Sequence, residues 1–82
     1  MKYVKKPIPI EAVQWDGFNF SEIQLFMGDN RPIVNSKNQL VISTLEGEMC
    51  ADVGSYIIKG VVGEFYPCRE DVFQNTYEPI QE

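Results

Sequence analysis

Apolar and polar residues alternate in short runs along most of the chain, which is typical of β-strands rather than of long helices. The strongest run, residues 39–45, is rich in β-branched residues, and strand-like segments follow at 48–52, 55–59 and 64–68. Turns that contain glycine separate them, at Glu46-Gly47, at Val53-Gly54 and within residues 60–63. The pattern predicts successive antiparallel strands.

The N-terminal part predicts a further strand over residues 2–15, or two short strands with a break at residues 7–9. Pro7 and Pro9 cannot donate to a ladder, so this strand is expected at an edge of the sheet. A short edge strand is also expected at Pro32-Ile33-Val34, and a last one within residues 77–80.

Helical spacing occurs in two places. Phe20, Ile23, Phe26 and Met27 recur on one helical face, and Gly28 follows as a residue that tolerates a positive φ. Asn19 or Ser21 is expected to cap this helix, with Glu22 completing a capping box on Asn19. Residues 69–76 predict one or two further helical turns, packed on the sheet through Val72, Phe73 and Tyr77.

Together these elements predict one α+β domain over residues 1–82. Its core is a small twisted antiparallel sheet of about five or six strands, with one short helix packed on it and a short C-terminal helical turn. The open edges of such a sheet allow pairing into a two-fold homodimer.

Composition and charge exclude several classes of function. The net charge is −5 and the only basic cluster is Lys2, Lys5 and Lys6, which argues against direct binding to nucleic acid. No apolar run approaches the ~20 residues of a membrane span, and no apolar stretch follows the N-terminal lysines as in a signal peptide. A cytoplasmic protein without a membrane segment is therefore expected.

Few residues are suited to catalysis. The chain has no histidine, which removes the commonest general base, and its two cysteines alone cannot form a Cys/His zinc site. We expect Glu11 and Glu64 on solvated faces, and both cysteines packed in strands as small apolar residues. Cys68 stands beside Arg69 and before a helix start, surroundings that lower a thiol pKa, but it has no visible base partner. We predict no cofactor, no metal, no catalytic residues and no enzymatic activity.

Aromatic residues give the candidate binding site. Neighbours along a strand point to opposite faces, so we place Phe65 inside with Ile57, and Tyr66 outside with Lys59. Tyr66, Trp15, Lys59 and Arg69 would then form a contact patch, because aromatic and arginine side chains dominate such patches. In the alternative, Trp15 and Tyr56 belong to the core.

Several segments carry a family resemblance. They read LEGEM at 45–49, VGSYIIKG at 53–60, GEFYPC at 63–68, DVF at 71–73 and TYE at 76–78, and they follow an N-terminal KKPIPIEAVQW at 5–15. Together they resemble the small phage and prophage PGDYG (or PGDYI) proteins of unknown function over nearly the whole chain. The sequence departs from that pattern at Val53, where the name has proline, and at Ser55, where it has aspartate. A serine hydroxyl still serves there if the aspartate only caps a turn.

The resemblance implies a small phage- or prophage-encoded accessory protein. With no catalytic group in view, the favoured hypothesis is a binding module that acts on a host protein or complex, for example to blunt host defence. The alternatives are a protein that sequesters a small ligand such as a nucleotide signal, and a minor virion-associated protein.

Overall fold

The strands of this protein form two sheets rather than one. The computed structural model describes residues 1–80, and in this part of the chain two three-stranded antiparallel sheets have the orders β1-β5-β6 and β2-β3-β4. The elements are β1 (Glu11–Gln14), α1 (Phe20–Met27), β2 (Ile33–Val34), β3 (Leu40–Thr44), β4 (Gly47–Ala51), β5 (Tyr56–Lys59), β6 (Phe65–Cys68) and α2 (Glu70–Thr76). The predicted α+β class is confirmed. The predicted domain reaches residue 82, and residues 81–82 lie outside the described part.

The turn after β4 carries the chain from one sheet to the other. The Ser55 amide donates to the Asp52 carbonyl at 3.0 Å, and Gly54 has a φ of +100°, as the third residue of a type II turn requires. Beyond it, β5 pairs with β1 instead of β4, with Val13 opposite Ile57. The prediction of a single sheet was wrong because this pairing joins distant parts of the chain.

The main core lies between the two sheets and α1. It contains Trp15, Ile23, Met27, Leu40, Ile42, Ala51, Ile57 and Phe65. Phe26 meets Phe65 edge to face, with ring centroids 5.5 Å apart. Two layers let the apolar face of each sheet cover the other, which one short helix could not do for a single six-stranded sheet.

Helix α1 confirms the predicted apolar face, since Ile23 and Met27 are buried and Phe20 and Phe26 pack beside them. Its N-terminus differs from the predicted capping box. The Asn19 side chain makes no capping bond and instead accepts from the Asp16 amide at 3.0 Å. Its amide group donates to the Glu22 carboxylate at 2.8 Å. Asn19 therefore orders the turn before the helix and does not cap the helix through its side chain.

The two ends of the described chain are less regular than predicted. Residues 1–10 form no strand, and neither do residues 77–80. The Ile8 amide bonds to the Lys6 carbonyl at 2.9 Å, so this stretch turns on itself before β1 begins at Glu11. Prolines that cannot donate to a ladder explain the late start of the strand.

Helix α2 covers the second face of the β1-β5-β6 sheet. Phe73 stacks on Tyr56 at 3.8 Å and Tyr77 lies 5.0 Å from Phe73, measured between ring centroids. Ile58 is fully buried on this face. The predicted packing of Phe73 and Tyr77 is confirmed, whereas Val72 is 47% exposed and does not hold the helix down.

Candidate functional site

A groove lies where the N-terminal segment passes the β5–β6 loop and the end of α2. It has a volume of about 570 Å3, within the range of ligand sites in proteins. We call it the lysine–tyrosine groove. The residues that characterise it are Lys5, Lys6, Ile8, Glu64, Tyr66 and Tyr77.

Strand register determines which β6 side chains reach this groove. Tyr66 lies opposite Ile58, and Phe65 lies opposite Lys59. Directly opposed residues share a face, so Phe65 and Lys59 belong to the core side of the sheet while Tyr66 points to the α2 side. Glu64 is two residues before Tyr66 and projects to that same side.

Tyr66 and Tyr77 both line the groove. The pKa of Tyr66 is raised to about 12, first by burial and then by the neighbouring Tyr77 hydroxyl. A tyrosine hydroxyl carries one hydrogen, so Tyr77 can donate a hydrogen bond to a ligand in the groove.

The Tyr77 ring is held in place by stacking. One side of it faces Phe73, which itself stacks almost parallel on Tyr56 with an interplanar angle of 8°. This stack of three rings holds the Tyr77 side chain against the sheet. A rigid donor of this kind loses little entropy when a ligand binds.

Glu64 contributes a carboxylate to the groove wall. Its Oε1 atom is buried and has no hydrogen-bond partner within residues 1–80. The carboxylate lies against Gly60, where a Cβ atom would overlap it. Gly60 is therefore required to leave room for this side chain, and the Gly60 amide bonds to the Glu64 carbonyl at 2.7 Å.

The four residues predicted as a contact patch are not brought together. Trp15 is 1% exposed, and its indole N–H donates to the Asn38 carbonyl at 3.0 Å, so it belongs to the core. Lys59 is exposed on the face opposite Tyr66, and the prediction that these two share a face was wrong. The prediction of Phe65 inside with Ile57 is confirmed.

Arg69, the fourth of these residues, is occupied elsewhere. It forms a bidentate ion pair with Asp71, with distances of 2.6 and 3.2 Å. The guanidinium lowers the pKa of Asp71, and both side chains are exposed. Arg69 lines a separate open groove of about 500 Å3, beside Asp52 and Glu70 at the start of α2.

The cysteines and carboxylates also differ from expectation. Burial raises the pKa of the Cys68 thiol, and Asp71 raises it further, which is opposite to the lowering expected from Arg69. Cys50 is exposed rather than packed. Glu11 is exposed as expected, whereas Glu64 is half-buried with its Oε1 atom buried, so the prediction of a solvated face was wrong for Glu64.

No cluster of three or more histidine, cysteine, aspartate or glutamate side chains within residues 1–80 is arranged to hold a metal ion. None of the helices in this part of the chain is long and apolar enough to cross a membrane.

Comparisons with protein-family models, with curated proteins and with solved structures found no match to this chain. The resemblance to phage PGDYG proteins therefore stays a prediction.

Sequence reasoning found Tyr66 but missed its neighbours in the groove. Lys5 and Lys6 were recognised only as a basic cluster, and Tyr77 only as a packing residue. The aromatic character of Tyr77 and the lysine pair were visible in the sequence. Their meeting at one groove depends on the path of residues 5–10, which no periodicity predicts.

Proposed function

We propose that this protein is a small non-enzymatic binding module, encoded by a phage or prophage, that acts on a host protein in the cytoplasm. The observation that carries this proposal is the apolar exposure along the N-terminal segment beside the lysine–tyrosine groove. The side chains of Tyr3, Val4 and Ile8 are 88%, 91% and 54% exposed. Contiguous exposed apolar residues rimmed by charge are typical of interaction surfaces.

The position of these residues supports a protein partner. They belong to a stretch without regular secondary structure, flanked by Lys2, Lys5 and Lys6. The groove continues the same surface with the apolar side chains of Ile10 and Val61. An apolar centre with a charged rim is the usual arrangement of a protein interface.

Site-directed photocrosslinking in host cells tests this proposal. A photoreactive phenylalanine analogue replaces Ile8 in one variant and Leu25 in a matched control. Leu25 is 86% exposed on α1, away from the groove. We expect one host protein to crosslink through position 8 and not through position 25. Equal labelling from both positions, or none from position 8, would contradict the proposal.

A second candidate function is the binding of an anionic small molecule, such as a nucleotide signal. The groove volume and the presence of Lys5 and Lys6 favour it. Native mass spectrometry of protein purified from the host without extensive dialysis tests it. A protomer or homodimer that carries a constant small extra mass supports this candidate, and a bare monomer argues against it.

A role as a minor virion component is tested with purified phage particles. Protein that remains with particles through density-gradient purification supports a virion role. Its absence from such particles excludes that role.

A further inference from the structure

We infer that the lysine–tyrosine groove receives an acidic and apolar stretch of the partner protein. A carboxylate of that stretch would be held by Lys5, Lys6 and the Tyr77 hydroxyl, with an aliphatic side chain against Ile8 and Ile10. This inference rests on the proposed function, and it adds the chemistry of the partner.

The groove is more positive than the protein as a whole. The chain has a net charge of −5, yet Lys5 and Lys6 line this groove against a single carboxylate, that of Glu64. The Oε1 atom of Glu64 is buried toward Gly60. The groove is thus locally positive within an acidic protein, and a partner with negative charge is complementary to it.

Hydrogen-bonding capacity leads to the same class of ligand. Each lysine ammonium offers donors only, and the Tyr77 hydroxyl has one hydrogen that it can donate. Lys5, Lys6 and Tyr77 therefore present donors to a ligand in the groove. An ionised carboxylate accepts several hydrogen bonds and forms charge-assisted bonds with lysine.

The apolar walls favour a peptide over a nucleotide. Ile8, Ile10 and Val61 are aliphatic, and they offer no ring on which a base could stack. Two tyrosine rings also line the groove, and Phe73 already covers one face of Tyr77. Leucine- or isoleucine-like side chains match these walls better than an aromatic base does.

The N-terminal wall is also partly pre-organised. Pro7 and Pro9 fix their own φ angles, and the Ile8 amide bonds to the Lys6 carbonyl at 2.9 Å. A wall that needs little ordering loses less free energy when a peptide binds.

Fluorescence anisotropy with the full chain tests the inference. The probe is a fluorescein-labelled decapeptide of alternating glutamate and leucine, and its control has glutamine in place of glutamate. We expect the glutamate peptide to bind roughly tenfold more tightly, because two charge pairs with exposed lysines each contribute modestly.

A matched pair of variants locates the binding. Lys5→Gln with Lys6→Gln is expected to weaken binding of the glutamate peptide roughly tenfold. Lys37→Gln with Lys59→Gln removes the same charge from exposed positions that do not line the groove, and it should leave binding unchanged. Equal loss in both variants would overturn the inference.

Further outcomes separate this inference from the proposed function. Equal binding of both peptides, no binding of either, or displacement by ATP at lower concentration than by unlabelled glutamate peptide would each overturn the acidic-peptide inference. A host protein crosslinked at position 8 would leave the proposed function standing in those cases. Tight glutamate-peptide binding without such a crosslink would instead support the groove chemistry and contradict the proposed host partner.

Discussion

The raised pKa of Tyr66 predicts a loss of stability at alkaline pH. The Tyr66 pKa is raised from 10.0 to about 12 in the folded protein, first by burial and then by the neighbouring Tyr77 hydroxyl. The neutral phenol is therefore favoured by folding. Its contribution is fully present below pH 10 and is lost as the pH rises from 10 to about 12.

The size of this loss follows from the pKa shift. A shift of two units corresponds to ~2.7 kcal/mol if the full difference acts on stability. Tyr66 is only half-buried and borders an open groove, so solvent screening reduces the expected effect to roughly 1 kcal/mol. Urea unfolding at a series of pH values between 9 and 12 measures this loss directly.

Tyrosinate absorbance identifies the residue responsible. We expect a late phase of ionisation that is absent from Tyr66→Phe. In Tyr77→Phe this phase should shift to lower pH, because only burial and the charges of Glu64 and Cys68 still raise the Tyr66 pKa. Tyr3→Phe, at an 88% exposed position, should keep the late phase. A late phase that survives unchanged in Tyr66→Phe would refute the reasoning, as would a Tyr77→Phe titration identical to that of the original protein.

Three further predictions concern the core, the turn and the thiols. Trp15→Phe should lower the free energy of unfolding by about 2–3 kcal/mol, because packing and the hydrogen bond to Asn38 are lost. In the same urea titration, Phe18→Leu at a 95% exposed position should change this free energy by less than ~0.5 kcal/mol. Gly54→Ala should lower the free energy of unfolding by about 1–2 kcal/mol, because the φ of Gly54 is +100°. Thermal unfolding should show a smaller loss in a Glu70→Ala background, because the 2.9 Å contact between the Glu70 carboxylate and the new Cβ is then absent. In single-thiol variants, the exposed Cys50 should react with an aromatic disulfide roughly tenfold faster than the half-buried Cys68, and equal rates would contradict the assigned burial.

Local features of the fold were predictable from the sequence. The apolar spacing of Phe20, Ile23 and Met27 predicts α1, because a helix face depends only on nearby residues. The glycine at position 54 predicts the turn after β4, since its positive φ is a local requirement. These choices do not depend on where the rest of the chain goes.

The sequence could not predict which face of β5 is the inner one, because this depends on non-local strand pairing. Ile57 and Ile58 are adjacent and both fully buried, so alternation alone cannot tell which face of β5 is the inner one. The β1-β5-β6 sheet packs against the main core on one side and against α2 on the other, so both of its faces are apolar. The same ambiguity placed Lys59 beside Tyr66, whereas the register sets Lys59 opposite Phe65.

The segments for which we predict a resemblance to phage PGDYG proteins divide into two physical classes. Val53, Gly54 and Ser55 form a turn that connects two sheets, and this turn explains the most recognisable part of the motif without any ligand. Aspartate and serine are both good turn residues, so the departure at Ser55 is compatible with the same backbone.

The remaining segments need a different explanation. The basic N-terminal stretch with Lys5 and Lys6 and the C-terminal Thr76-Tyr77 lie at opposite ends of the sequence, yet both line one groove with Tyr66. Core packing accounts for the ring of Tyr77 but not for the exposed lysines beside it. A shared ligand would give these distant segments a common role, and for this reason we propose the lysine–tyrosine groove rather than the turn as the binding site.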